Sequence, residues 1–298
     1  MARMRSDDDL VALARQHLPA DVAERWLALR RPAVGLAPVP VGDVLTPVVG
    51  HLGGEPELPE DLPWPVAGDG LPLYHVASVD CGALPPEAAA MGVPARGRLV
   101  FFVDEGLFDD AVRSDEEDDF NDELGALPPA DAARLVHVPT GQAVRRRGTP
   151  ERGNAYERIR LGAWIGATAP APGHPTVRRT LGDAVTAPGH PLQSLRFAAA
   201  LAGAEPDHRL GGYPGALRHA VELDAAAAAL GGDVGWRDPA LHEEALQWRL
   251  LAQFDRSDPD IAWHGDDAVL LSWLMRADDL AAGRFDRAVF TFRRPYRG

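Results

Sequence analysis

Leu73-Tyr74-His75-Val76-Ala77-Ser78-Val79-Asp80 and Trp248-Arg249-Leu250-Leu251-Ala252-Gln253-Phe254-Asp255 decide the fold. The two stretches share one apolar pattern, and each ends in an aspartate. Short apolar runs of this kind read as strands. A second apolar strand follows each, Gly97–Val103 (Gly-Arg-Leu-Val-Phe-Phe-Val) in the first half and 268–274 in the second. A Gly-Gly-x-Pro precedes each, Gly53-Gly54-Glu55-Pro56 and Gly211-Gly212-Tyr213-Pro214. Three features recurring in one order predict a duplicated α+β unit, with intertwined halves at about 40–140 and 205–295.

Working outward, residues 6–30 read as helical. Ser6 caps, Asp7 to Asp9 suit the positive end of the helix dipole, and Leu10, Leu13, Ala14 and Leu18 follow at helical spacing. Pro19 interrupts this run and Pro32 ends it. Residues 33–50 suit one or two strands. Prolines 56, 59, 63, 65 and 72 deny Gly53–Pro72 both helix and central strand, so this stretch is a functional loop or one that wraps the core. The run at 97–103 reads as a central strand, and Arg134–Val138 as another. Residues 140–191 read as a loop-rich connection, with Pro-Gly-His-Pro at 172–175 and again at 188–191. Helices are predicted at 192–203, 216–230 and 238–247, a helical turn at 278–282, and strands at 248–255, 269–274 and 287–292. The mixture lacks a steady βαβ alternation. It predicts an α+β fold: mostly antiparallel sheet with flanking helices, a helical segment over 1–31, and one domain over 32–298.

Composition excludes more than it identifies. The chain has 298 residues and a formal net charge of −14, which argues against nucleic acid and against anionic membranes. It has no lysine, so Schiff-base chemistry, a P-loop lysine and a Ser-Lys dyad are excluded. A single cysteine, Cys81, allows no internal disulfide and no multi-cysteine zinc site. Neither a secretory leader nor a membrane-spanning run is read, so the expected location is the cytoplasm. No cofactor is implied.

The ordered motifs carry a resemblance. Gly53-Gly54-x-Pro56-x-Leu58-Pro59, Trp64-Pro65, the strand ending at Asp80, and Gly97-x-Leu99-x-Phe101-Phe102 resemble the YwqG-like family of bacterial proteins, classed as a domain of unknown function. In the second half, Leu210-Gly211-Gly212-Tyr213-Pro214 resembles that family's Gly-Tyr-Pro element. Leu250-Leu251-x-Gln253-x-Asp255 resembles its second strand, Trp263-His264-Gly265-Asp266 its Trp-Gly-Asp run, and Asp279 to Phe285 its C-terminal element. Ser78, Arg218, His264 and Ala268 depart from the pattern. The resemblance covers about 40–295. It implies one intracellular α+β domain, no known activity and, through some relatives, an immunity-type role beside bacterial toxin systems.

Several groups could carry chemistry. Over Asp104–Glu123, 11 of 20 residues are acidic, but an EF-hand beginning at Asp119 would need Gly and Glu where Leu124 and Ala130 stand. This run is a solvated insertion or a surface for a basic protein. Arg145-Arg146-Arg147 pairs with it inside the chain or meets a phosphate. Trp263-His264-Gly265-Asp266 gathers a general-base type beside a carboxylate, or simply tightens a turn. Asp80 and Asp255 either approach as paired acids or cap the turns that follow them. Trp64 and Tyr213 form a ligand wall or belong to the core. His17, His51 and His75 read as isolated, and His208 with His219 lacks a third zinc ligand. Two functions follow. The first is an interaction module, with an immunity-type role as one form of it, that binds a basic protein partner through acidic surface. The second is a small-molecule binder or enzyme with a pocket between the halves, drawing on Trp64, Asp80, Tyr213, Gln253, Asp255, Trp263, His264 and Asp266.

Overall fold

The computed structural model describes residues 7–108, 127–151, 153, 155–202, 208–215, 220–256 and 269–293. Its strands are β1 Arg31–Pro38, β2 Gly50–Leu52, β3 Glu57–Pro59, β4 Tyr74–Asp80, β5 Arg98–Val103, β6 Ala133–Val138, β7 Val144–Arg146, β8 Ile159–Thr168, β9 His208–Gly211, β10 Trp248–Asp255, β11 Leu270–Arg276 and β12 Val289–Arg293. Ten of them form one sheet in the order β12-β11-β10-β9-β1-β8-β2-β4-β5-β6, and β3 pairs with β7 in a separate ribbon. Every neighbouring pair in the large sheet is antiparallel. With helices on its faces, the fold is α+β.

The sheet curls strongly. Phe101 of β5 lies 5.1 Å from Phe254 of β10 and 5.0 Å from Trp273 of β11, ring to ring, although many strands separate them in hydrogen-bond order. The inward face thus becomes one core shared by β4, β5, β10 and β11. Three covers bury the outward face. Helices Asp7–His17 and Ala20–Leu27 pack with Pro175–Leu181 and Leu195–Ala202, and Trp26 Nε1 donates to Pro170 O at 3.0 Å. Helices Val221–Ala229 and Pro239–Ala245 cover β10 and β11. The proline-dense loop covers β5, with Trp64 against Phe102. Among the described residues, no helix is long and apolar enough to cross a membrane.

Two elements differ from the sequence reading. The run at 97–103 is not central, because β5 lies second from the edge. It is apolar on both sides because both faces are buried: Leu99, Phe101 and Val103 face the shared core, while Val100 and Phe102 meet the proline-dense loop. That double burial is also what makes a central strand continuous in hydrophobicity. The stretch 140–191, read as loop-rich, contains β8, which pairs with the whole of β1 at the middle of the sheet. Gly162 and Gly166 weaken its strand signal. Gly35, opposite Trp164 on β1, explains the pairing: a Cβ there would stand 2.2 Å from the indole, which occupies that space.

Both Pro-Gly-His-Pro segments are helix starts. His174 Nδ1 accepts the Thr176 N–H at 3.0 Å, and His190 Nδ1 accepts that of Leu192 at 3.2 Å, with the following proline in the first turn. The Arg145–Arg147 triplet lies in and just after the β3–β7 ribbon, where Arg147 donates to Leu62 O.

His51 and His75, read as isolated, are neighbours with ring centroids 5.3 Å apart. Their Nδ1–H groups donate to Gly53 O and Gly54 O at 2.7 and 3.0 Å, and the Ser78 hydroxyl donates to His75 Nε2 at 2.9 Å. Burial is the main cause that lowers His51 to about 4 and His75 to about 3. Below pH 6.5 the unfolded chain therefore binds protons that the folded chain refuses, so stability falls as pH falls. Each histidine should cost about 1.5 kcal/mol between pH 6.5 and 5. Urea unfolding at the two pH values should show a smaller acid loss in His51→Asn than in the parent. An equal loss would contradict this account.

Candidate functional site

Alternating strand direction sorts the candidate residues by the end of the sheet they occupy. One end carries the start of β1, the end of β9, the start of β10 and the end of β11. It also carries the end of β4, from which the chain enters the turns Cys81–Ala83 and Pro86–Met91. A cleft of about 750 Å³ opens at this end. Arg31 of β1 and Arg249 of β10 line it, with Met91 and Gly92 from the first half of the chain and Leu280 and Phe285 from the second. Of the described residues along its walls, only these two arginines are charged.

Gly211 and Gly212 form part of the wall. Their φ values are +68° and +72°, in the left-handed region that side chains resist. The backbone closes tightly here, since a Cβ on Gly212 would stand 2.4 Å from Thr168 Oγ1. The turn is then held at three points. Tyr213 N donates to Thr168 Oγ1 at 2.6 Å, Arg209 Nη1 donates to Tyr213 O at 3.0 Å, and Gly215 N donates to Gln253 Oε1 at 2.7 Å. Gly53 and Gly54, in the other Gly-Gly-x-Pro, also take left-handed φ values, +53° and +66°.

Behind the wall is a buried chain of polar groups. The Arg31 guanidinium lies 4.1 Å above the centre of the Tyr213 ring. The His174 ring meets Tyr213 edge-on, with centroids 5.0 Å apart. Because His174 Nδ1 accepts from Thr176, its ring proton sits on Nε2, which faces Glu222 Oε1 at 3.4 Å. Glu222 has 0% exposure. Burial pushes the Tyr213 phenol up from its ordinary value, against the opposing pull of Arg31. Burial, and after it Arg31, lowers the Arg249 guanidinium; Glu222 acts the other way. Arg249 Nη1 donates to Leu246 O and Trp248 O at 2.7 Å. Arg31 Nη1 is buried and makes no hydrogen bond among the described residues.

Of the candidate site residues that the structure describes, only Tyr213 lies next to this cleft, behind its wall and beneath Arg31. Trp64 is in the outer cover, donating its Nε1–H to Leu73 O at 3.0 Å. Asp80 is exposed, and its carboxylate accepts the Gly82 N–H at 3.0 Å, which caps the following turn. Gln253 is buried as a backbone anchor for Gly215. Asp255 ends β10 at the opposite end of the sheet, where its N–H donates to His208 Nδ1 at 3.1 Å. The antiparallel order thus sets Asp80 and Asp255 at opposite ends. Trp263, His264, Asp266 and His219 lie outside the described residues, as do 109–123 of the acidic run. Burial first and Asp80 second push the Cys81 thiol up to about 12, which makes it unreactive.

Sequence reasoning missed Arg31, His174, Glu222 and Arg249. A signal existed for His174 in the repeated Pro-Gly-His-Pro. Arg31 stands just before the Pro32 that closes the N-terminal helices, so it read as helix end rather than strand start.

The model of the domain of unknown function DUF1963 matches residues 50–293, and the chain belongs to this family. No curated protein matches the chain.

The Gly212 turn gives a direct test. Gly212→Ala places a side chain at positive φ and against Thr168, and should cost at least about 2 kcal/mol in urea unfolding. Tyr213→Phe keeps the ring beneath Arg31 but loses the hydroxyl's hydrogen bond with Thr176, and should cost about 1 kcal/mol. Equal stability of Gly212→Ala and the parent would contradict the tight closure.

Proposed function

We propose that this protein binds a small molecule in the cleft between the two arms of its curled sheet. The cleft itself carries the reading: its volume, about 750 Å³, suits a small organic ligand, and both halves of the chain build its walls. Its lining supports binding rather than catalysis. The described residues there are apolar side chains, glycines and two arginines, and arginine does not exchange protons at neutral pH. A basic protein partner held by the acidic run 104–123 is the second reading, and the net charge of −14 favours it. The two Gly-Gly-x-Pro turns and the mirrored strand order about β1 and β8 support an origin by duplication. A cytoplasmic location fits the lone thiol.

A neutral fluorescent probe, N-phenyl-1-naphthylamine, tests the cleft. It should bind saturably with one site per chain. Ala281 is an exposed position on the rim, so Ala281→Trp should fill the mouth without disturbing the core. The variant should bind the probe at least about tenfold more weakly. Unaltered binding in Ala281→Trp, or no saturable binding in the parent, would overturn the proposal.

A further inference from the structure

The geometry points to an organic anion with an apolar body as the ligand of the cleft, its anionic head on Arg31 and Arg249. This inference rests on the reading of the cleft as a ligand site and names the ligand's class. Three observations carry it.

The first is charge without a counterpart. Arg31 and Arg249 are half-buried on one wall, and no acidic side chain among the described residues lines the cavity. Two guanidinium groups brought together away from bulk water repel, and an anion between them removes that cost. The second is that both guanidinium groups are held in place. Arg249 uses Nη1 on the Leu246 and Trp248 carbonyls, so its orientation is fixed by backbone. Arg31 is fixed differently, by lying on the Tyr213 ring. Guanidinium groups fixed in advance lose little freedom on making charge-assisted bonds to an anion. The third is the remainder of the lining. Met91, Val93, Leu250, Leu280 and Phe285 offer apolar surface beside the two arginines. A bare inorganic ion would leave that surface in water.

Isothermal titration of the full chain with octanoate, octan-1-ol, octylammonium and inorganic phosphate tests this. Octanoate should bind with one site per chain and at least about tenfold more tightly than octanol. Octylammonium and phosphate should show no binding at the same concentrations. Arg31→Gln should abolish the preference for octanoate while leaving octanol unchanged. Arg249→Gln should reduce the preference, and it carries the test if Arg31→Gln does not fold. Equal binding of octanol and octanoate, with both lost in Ala281→Trp, would overturn the anion and leave the cleft standing. Phosphate competing as well as octanoate would overturn the apolar body. Failure of both octanol and octanoate to bind would overturn the cleft reading and this inference together.

Discussion

The contact of Phe101 with Phe254 and Trp273 is the constraint on which the rest of the structure depends. A ten-stranded antiparallel sheet left open would expose one whole face. Here β5 folds over onto β10 and β11, and three aromatic rings meet with centroids 5.0 to 5.8 Å apart in edge-on arrangements. Such pairs contribute beyond simple area burial, and the side chains around them are nearly inaccessible to water. Curling turns the inward face into a single core, so only the outward face needs cover. The N-terminal helices, the two helices after β9 and the proline-dense loop supply that cover.

The cleft is a consequence of the same curvature. When the two arms close on their shared core, the turn after β4 and the helix after β11 come together at one end. Gly92 sits so near Leu280 that a Cβ there would stand 2.5 Å from its side chain. The gap left beside this seam is the cleft, and β1 and β10 deliver Arg31 and Arg249 to it from the sheet itself. Charged groups held on strands are positioned more rigidly than groups on loops, which suits recognition of a fixed head group.

Much of the fold was legible because its strands are local events. Trp248–Asp255 is bounded in the structure as its apolar run and flanking residues predict. β8 was not legible, because Gly162 and Gly166 weaken its pattern and the reason for its pairing lies far away at Gly35. The position of β5 was misread because covering by a proline-dense loop and burial at a sheet centre leave the same hydrophobic signature. The site was less legible still. Glu222 looks like an ordinary acidic residue in the first turn of a helix, and nothing near it in sequence announces His174 or Arg249. Asp80 and Asp255 share a local pattern, yet the direction of their strands places them at opposite ends of the sheet. Local sequence records a strand's pattern, whereas the end of the sheet it reaches is set by the whole topology.

The central claim, that β5 closes onto β10 and β11 through the Phe101 cluster, is tested most directly by a double-mutant cycle. Phe101→Leu and Trp273→Leu, singly and together, would be compared by urea unfolding at pH 7. Ring contact across the curled sheet predicts a coupling of about 1 kcal/mol between the two sites. Additive losses, equal to within about 0.3 kcal/mol, would contradict it and would leave the sheet open.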